Sequence, residues 1–220
     1  MRAVRALCAV ALSAAALVAA GAATQSASAA GALDIFFQYP NAIKGEHISP
    51  SGTIPSGGVR TVKLQYRSGT TGVWTTKLTT KSAPNGYFYF QTTDTRTHYW
   101  RYVVPAGGGK PAITGTPKKL PVVSQKVEYF GVTRSCDNTG HNIVSAWADF
   151  FPARQGRPVK FSTPEGDRTV VQDGRGVAHM DVVTDGGGTV VVHGTALVFD
   201  AAPAKSTGNA SVSLPICALP

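Results

Sequence analysis

Beyond residue 30 the chain shows no sustained helical period. Short runs of alternating apolar and polar residues are broken by Gly, Pro, Asn and Ser every ~8–12 positions. An alternating strand buries its apolar face, so such runs must stack as layered sheets; their spacing is that of an all-β sandwich. Composition agrees. Charged residues are 15% of the chain and hydrophobic ones 43%, which excludes a coiled coil and a disordered polymer and leaves apolar material for one or two cores.

The break in the pattern falls between Pro105-Ala-Gly-Gly-Gly-Lys-Pro111 and about Ser124. It predicts two domains, 31–122 and 125–220, each of ordinary sandwich size. In the first, strands are expected at Leu33–Gln38, Glu46–Ser49, Thr61–Arg67, Val73–Thr79, Tyr87–Thr92, His98–Val104 and Lys118–Val123. Trp74, Leu78, Phe88, Phe90 and Trp100 are the expected core. In the second they are expected at Lys126–Thr133, Asn142–Asp149, Pro158–Ser162, Arg168–Gln172, Gly176–Val183, Thr189–Phe199 and Ser211–Cys217.

Residues 1–29 have the composition of a cleaved secretory signal peptide. Arg2 and Arg5 open it, Leu7 to Ala20 is apolar or small, and Ala27-Ser28-Ala29 offers an A-x-A cleavage site. The expectation is a secreted, extracellular protein, free or held at the cell surface, with no integral membrane segment in the mature chain. Cleavage leaves two cysteines, Cys136 and Cys217. In an oxidising compartment they are expected to pair, closing a loop of about 80 residues worth roughly 4–5 kcal/mol in the chain-entropy model. The alternative is two buried free thiols.

Charge is divided unevenly. Residues 30–122 hold eleven Lys and Arg against three acids, or +8, while residues 125–220 hold eight against nine, or −1. The basic character of the mature chain therefore belongs to its first half.

Ile143-Val-Ser-Ala-Trp-Ala-Asp149, Gly156-Arg-Pro-Val-Lys-Phe-Ser162, Asp173-Gly-Arg-Gly-Val-Ala178 and Gly188-Thr-Val-Val-Val192 follow one another in the second half. With this order the region resembles the bacterial immunoglobulin-like domains of the invasin/intimin type. The first half more loosely resembles the immunoglobulin-like or fibronectin-III-like modules of secreted bacterial proteins. Its matching residues are Ser51-Gly-Thr53, Val62, Leu64-Gln65, Arg67, Trp74, Gly86, Phe88, Phe90 and Trp100-Arg-Tyr102. The resemblance implies two tandem Ig-like β-sandwiches and an adhesion or spacer role, and transfers no catalytic residue. Cys136, Trp147 and Cys217 imitate antibody spacing, but Pro215 stands where that pattern has a tyrosine.

Chemistry-bearing motifs are few. The histidines show no HExxH pattern, Cys-x-x-Cys and Gly-x-Ser-x-Gly are absent, and Gly107-Gly-Gly-Lys110 lacks the hydroxyl residue of a phosphate loop. His179 and His193 could meet on neighbouring strands. Glu165/Asp167 and Asp181/Asp185 read as turn residues. No catalytic residue, metal ligand or cofactor is assigned.

One face has binding character. On strands 62–67, 87–90 and 100–102 the residues opposite the core are Lys63, Arg67, Tyr87, Tyr89 and Arg101. If these strands are neighbours, cations and aromatic rings interleave on one surface, able to stack sugars and hold anions. The alternative is a soluble exposed sheet with no ligand. The expected function is non-enzymatic binding or adhesion at the cell exterior, to an envelope polymer or an extracellular protein or glycan, with nucleic acid not the primary target. A structural spacer or envelope assembly component is the second expectation, and a small secreted hydrolase or protease inhibitor the third.

Overall fold

The computed structural model describes residues 33–217, so the expected leader lies outside the described residues. Every regular element among them is a strand. The first half contains β1 (Ala42–Ile43), β2 (His47–Ile48), β3 (Ser51–Thr53), β4 (Thr61–Arg67), β5 (Thr75–Lys81), β6 (Tyr87–Tyr89), β7 (Thr92–Thr93), β8 (His98–Val104), β9 (Ile113–Thr114), β10 (Lys118–Leu120) and β11 (Val122–Val123). The second contains β12 (Lys126–Cys136), β13 (Asn142–Phe151), β14 (Pro158–Thr163), β15 (Gly166–Val171), β16 (Val177–Thr184), β17 (Gly188–Ala196) and β18 (Lys205–Leu214).

The first sandwich is built on a sheet of order β10-β8-β4-β5, with β9 also paired to β8. Smaller pairings, β3 with β6, β2 with β7 and β1 with β11, form the facing layer. Period-two alternation turns Val62, Leu64, Trp100, Tyr102 and Val104 inward, onto Phe88, Phe90, Ile35 and Ile54. The second sandwich packs β12-β13-β16 against β15-β14-β17-β18. Its core is smaller-chained, with Val144, Ala146, Ala148 and Phe150 from β13 meeting Phe161, Val190 and Val192. Among the described residues the chain is thus all-β, two sandwiches in succession, and these residues form one compact unit.

Strands expected at Thr61–Arg67 and His98–Val104 form with those bounds. Differences arise where backbone partners, not side chains, decide. Leu33–Gln38 makes isolated bridges, Asp34 to Thr116 and Phe36 to Ser51, because its neighbours are short. The last strand runs Lys205–Leu214 rather than Ser211–Cys217. Its first residues, Lys-Ser-Thr-Gly-Asn, carry no apolar alternation and are recruited by pairing with β17. Phe88, Phe90 and Trp100 are buried as expected, and Leu78 lies at the core margin. Trp74 is outside the core.

The junction between the sandwiches is polar and almost dry. Glu46 and Arg154 are each 1% exposed and come from opposite halves of the chain. Arg154 Nε donates to Glu46 Oε1, and Nη2 donates to Glu46 Oε2 at 2.6 Å. Further bonds run from Nη2 to the Asn41 carbonyl (3.0 Å) and from Nη1 to the Ala153 carbonyl (2.7 Å). The guanidinium carbon lies 4.1 Å from the Tyr39 ring centroid. Glu46 Oε2 also accepts from Ile43 N at 2.8 Å, so the buried charges are paired and hydrogen-bonded. Nearby, Arg157 donates to the carbonyls of Leu197 and Pro203, and burial lowers its pKa. That holds the 197–203 segment, whose tip residues Asp200 and Ala201 take φ of 46° and 62°. Asp200 accepts from His47 N at 2.9 Å and meets His47 Nδ1 at 3.0 Å, so the tip docks on the first sandwich.

Cys136, the last residue of β12, is bonded to Cys217, with Cα atoms 5.7 Å apart across a separation of 81 residues. The turn that follows Cys136 is tied by Asp137. Its Oδ1 accepts from His141 N, Thr139 N and Thr139 Oγ1, each at 2.9 Å. The bond from His141 N, more than those from Thr139, holds the Asp137 pKa down to about 2.

Removing one partner of the junction pair leaves a buried uncompensated charge. Glu46→Ala is expected to lose about 3–5 kcal/mol of stability, measured by urea unfolding. The double change Glu46→Leu with Arg154→Met should recover much of that loss. Because the Asp137 pKa is depressed, its contribution is complete above the ordinary carboxyl range and lost as pH falls toward 2. Side-chain carboxyl NMR should show its midpoint near that value.

Candidate binding face

The outer surface of the β4–β8 sheet is fixed by register. Lys63 lies opposite Val103, Gln65 opposite Arg101 and Arg67 opposite Tyr99. On the flanks Lys81 pairs with Thr61 and Lys119 with Tyr99. Since Val62, Leu64, Trp100 and Tyr102 point inward, Lys63, Arg67, Lys81, Arg101 and Lys119 share the opposite face. Three of the five expected binding residues, Lys63, Arg67 and Arg101, therefore come together. Tyr87 and Tyr89 do not join them. They sit on β6, which pairs with β3 in the facing layer, and are about half exposed there. Tyr89 Oη lies 3.2 Å from Ser49 Oγ. The physical reason is the layer change between β5 and β6, which side-chain alternation within a strand does not encode.

The aromatic partner on the cationic face is Trp74. It precedes β5 and is half-buried, its indole covering the sheet from outside. The guanidinium carbons of Arg101 and Arg67 lie 4.1 and 4.5 Å from its ring centroid, within cation–π range. Arg67 is also 5.8 Å from the Tyr99 ring. Arg101 Nε donates to Gln65 Oε1 at 3.0 Å, which orients the guanidinium. Arg67 Nε is buried without a hydrogen-bond partner. Partial burial first, and then the charge of Arg67, lower the Arg101 pKa.

No counter-charge meets them. Among the described residues no ion pair involves Lys63, Arg67, Lys81, Arg101 or Lys119. The three acids of this half are placed elsewhere: Glu46 in the junction, Asp94 against His98 at 2.6 Å, and Asp34 bridged to Thr116. In sequence Trp74 has the same parity as Leu78 and is expected in the core with it. The register shift between Leu64 and Gln65 in the β4–β5 pairing reverses that parity, so Leu78 faces the core and Trp74 the outer side.

His179 and His193 lie on β16 and β17, which belong to different sheets. His179 stacks on Trp147 with centroids 5.0 Å apart, and His193 Nδ1 meets Asn209 Oδ1 at 3.0 Å. Among the described residues no group of three His, Cys, Asp or Glu side chains could hold a metal ion. Nor is any helix among them long and apolar enough to cross a membrane.

No family model matches the chain, and no curated protein does. Solved structures similar to it include the D0-D1 domain of intimin, at 14% identity and TM-score 0.32, spanning 82% of this chain and 98% of that one. The ligand-binding domain of human OSCAR matches at 10% identity and TM-score 0.38, over 82% of this chain and 96% of that one. A 1.5-MDa bacterial ice-binding adhesin matches at 13% identity and TM-score 0.35, over 83% of this chain and 64% of that one.

The two tryptophans of the first sandwich should respond differently to truncation. Trp100→Ala empties a fully buried site and is expected to cost about 3–5 kcal/mol. Trp74→Ala removes an external ring and should cost about 1 kcal/mol or less. Thermal unfolding of the two variants checks the difference.

Proposed function

We propose that this is an exported, non-enzymatic binding protein. In this reading the outer face of the first sandwich attaches to an anionic polymer of the cell envelope. The observation that carries the proposal is the pair Arg67 and Arg101, held against Trp74 on a five-cation face that no carboxylate neutralises. Cations gathered without counter-charge repel one another, so an incoming anion relieves that cost as well as making its own contacts. A flat sheet surface suits an extended polymer, which can meet Lys63, Arg101 and Lys119 in succession. The indole adds an apolar plane for a ring between charges. The signal-peptide composition of residues 1–29 supports export.

A second reading, a structural spacer, is favoured by the junction. A buried bidentate pair and a docked hairpin tip hold the sandwiches at a set angle, as a spacer requires. The two readings part on salt and charge. Purified mature chain is applied to isolated cell walls while ionic strength is raised. Binding through the cationic face should weaken progressively with salt. Arg67→Glu with Arg101→Glu should reduce retention at least about tenfold, with the melting temperature unchanged within a few degrees. Retention indifferent to both changes would leave the spacer.

A further inference from the structure

Sheet edges offer rows of unpaired backbone donors and acceptors, and soluble proteins blunt them with lysine, arginine, proline or bulges. The long edge strands here follow that rule with one exception. β5 carries Lys77 and Lys81. β12 carries Lys126 and Arg134, with a bulge between Val127 and Tyr129. β15 carries Arg168, and β18 carries Lys205 and a bulge at Thr207, where its register with β17 shifts. β16 is the edge of the β12-β13-β16 sheet and reads Val-Ala-His-Met-Asp-Val-Val-Thr. Among the described edge strands of six residues or more, it lacks both a strong cation and a bulge, and its pairing with β13 is regular throughout. Beside it runs an open groove of about 540 Å³, bordered by Met180, Val182 and Val183 of β16 and, across it, by Arg168, Thr169 and Val170 of β15. Val183 is 58% exposed.

We propose that β16 is a self-association edge and that its occupant is β16 of a second copy of this chain, added antiparallel. The sequence of the strand selects that partner and one register. Antiparallel strands must match outward residues with outward ones, so the two-fold axis has to pass through a residue. An axis through His179 would oppose two histidines, and one through Asp181 would oppose two carboxylates. An axis through Met180 sets His179 of each copy opposite Asp181 of the other. It also sets Ala178 opposite Val182, and Val177 opposite Val183. The exposed polar residues become two reciprocal donor–acceptor pairs, and the inward row stays apolar. Met180 meets itself, with a side chain flexible enough for the contact. Within a copy, Asp181 already accepts from Ser145 Oγ and lies 3.2 Å from His179 Nε2, so the dimer exchanges this single contact for two between copies. The result is one six-stranded sheet across two copies, which would present two cationic faces and raise retention on a repeating polymer.

The test is sedimentation equilibrium of the purified chain, with two charge variants. The natural chain should show a reversible monomer–dimer equilibrium. His179→Asp places acids opposite acids, and Asp181→Lys places cations opposite His179. Each variant is expected to dimerise at least about tenfold more weakly. Mixed in equal amounts they become complementary at both pairs, and native mass spectrometry should show the heterodimer in preference to either homodimer. Hydrogen exchange supplies a reading on the natural chain: the edge-facing β16 amides should gain protection as concentration rises. A natural chain monomeric to about 1 mM would overturn the proposal. So would a dimer undiminished by both variants, or a mixture that gives no heterodimer.

Discussion

The structure depends first on one ion pair. Glu46 and Arg154 are 108 residues apart in sequence and meet in a nearly dry junction, where the guanidinium fork fits both carboxylate oxygens. Each charge would be costly there without the other. The pair therefore acts less as added stability than as a condition on geometry, because any arrangement that separates the sandwiches strands a buried charge. The surrounding bonds share this logic. The Asn41 and Ala153 carbonyls complete the guanidinium's donors, Tyr39 covers its face, and Ile43 N completes the carboxylate.

The same pair shapes the electrostatics of the first sandwich. That half has only three acids against eleven cations, and one of the three, Glu46, is spent internally on Arg154. Asp94 is engaged by His98. The outer sheet face is left with Lys63, Arg67, Lys81, Arg101 and Lys119 and no local neutralisation. Trp74 moderates this by lying against two guanidiniums, where its quadrupole offsets part of their repulsion. The second sandwich, near neutral overall, manages its charges locally, with Asp167 on Lys160 and Asp137 on its own turn.

Much of the strand content was legible because it depends on local alternation. Val62-Lys-Leu-Gln-Tyr-Arg67 and the His98–Val104 run declare their inner and outer residues without reference to anything distant. Lys63, Arg67 and Arg101 were placed on one outer face by the same rule. Tyr87 and Tyr89 were given the right parity and the wrong layer, since parity says which side of a strand a residue takes and not which sheet the strand joins. Trp74 was misplaced because it shares parity with Leu78, and a register shift in the β4–β5 pairing reverses that parity between them. Here two cations from neighbouring strands supply the contact that a core would otherwise provide.

What the sequence determined by itself is therefore period, charge and chemistry: an all-β chain, a basic half beside a neutral one, and two cysteines suited to pairing. What only the tertiary structure decided is which distant elements meet. The Glu46–Arg154 junction, the indole between Arg67 and Arg101, and the unguarded edge at β16 all follow from strand order and layer assignment. These arise from long-range pairing of backbone groups, which are identical at nearly every residue and so leave little trace in the sequence.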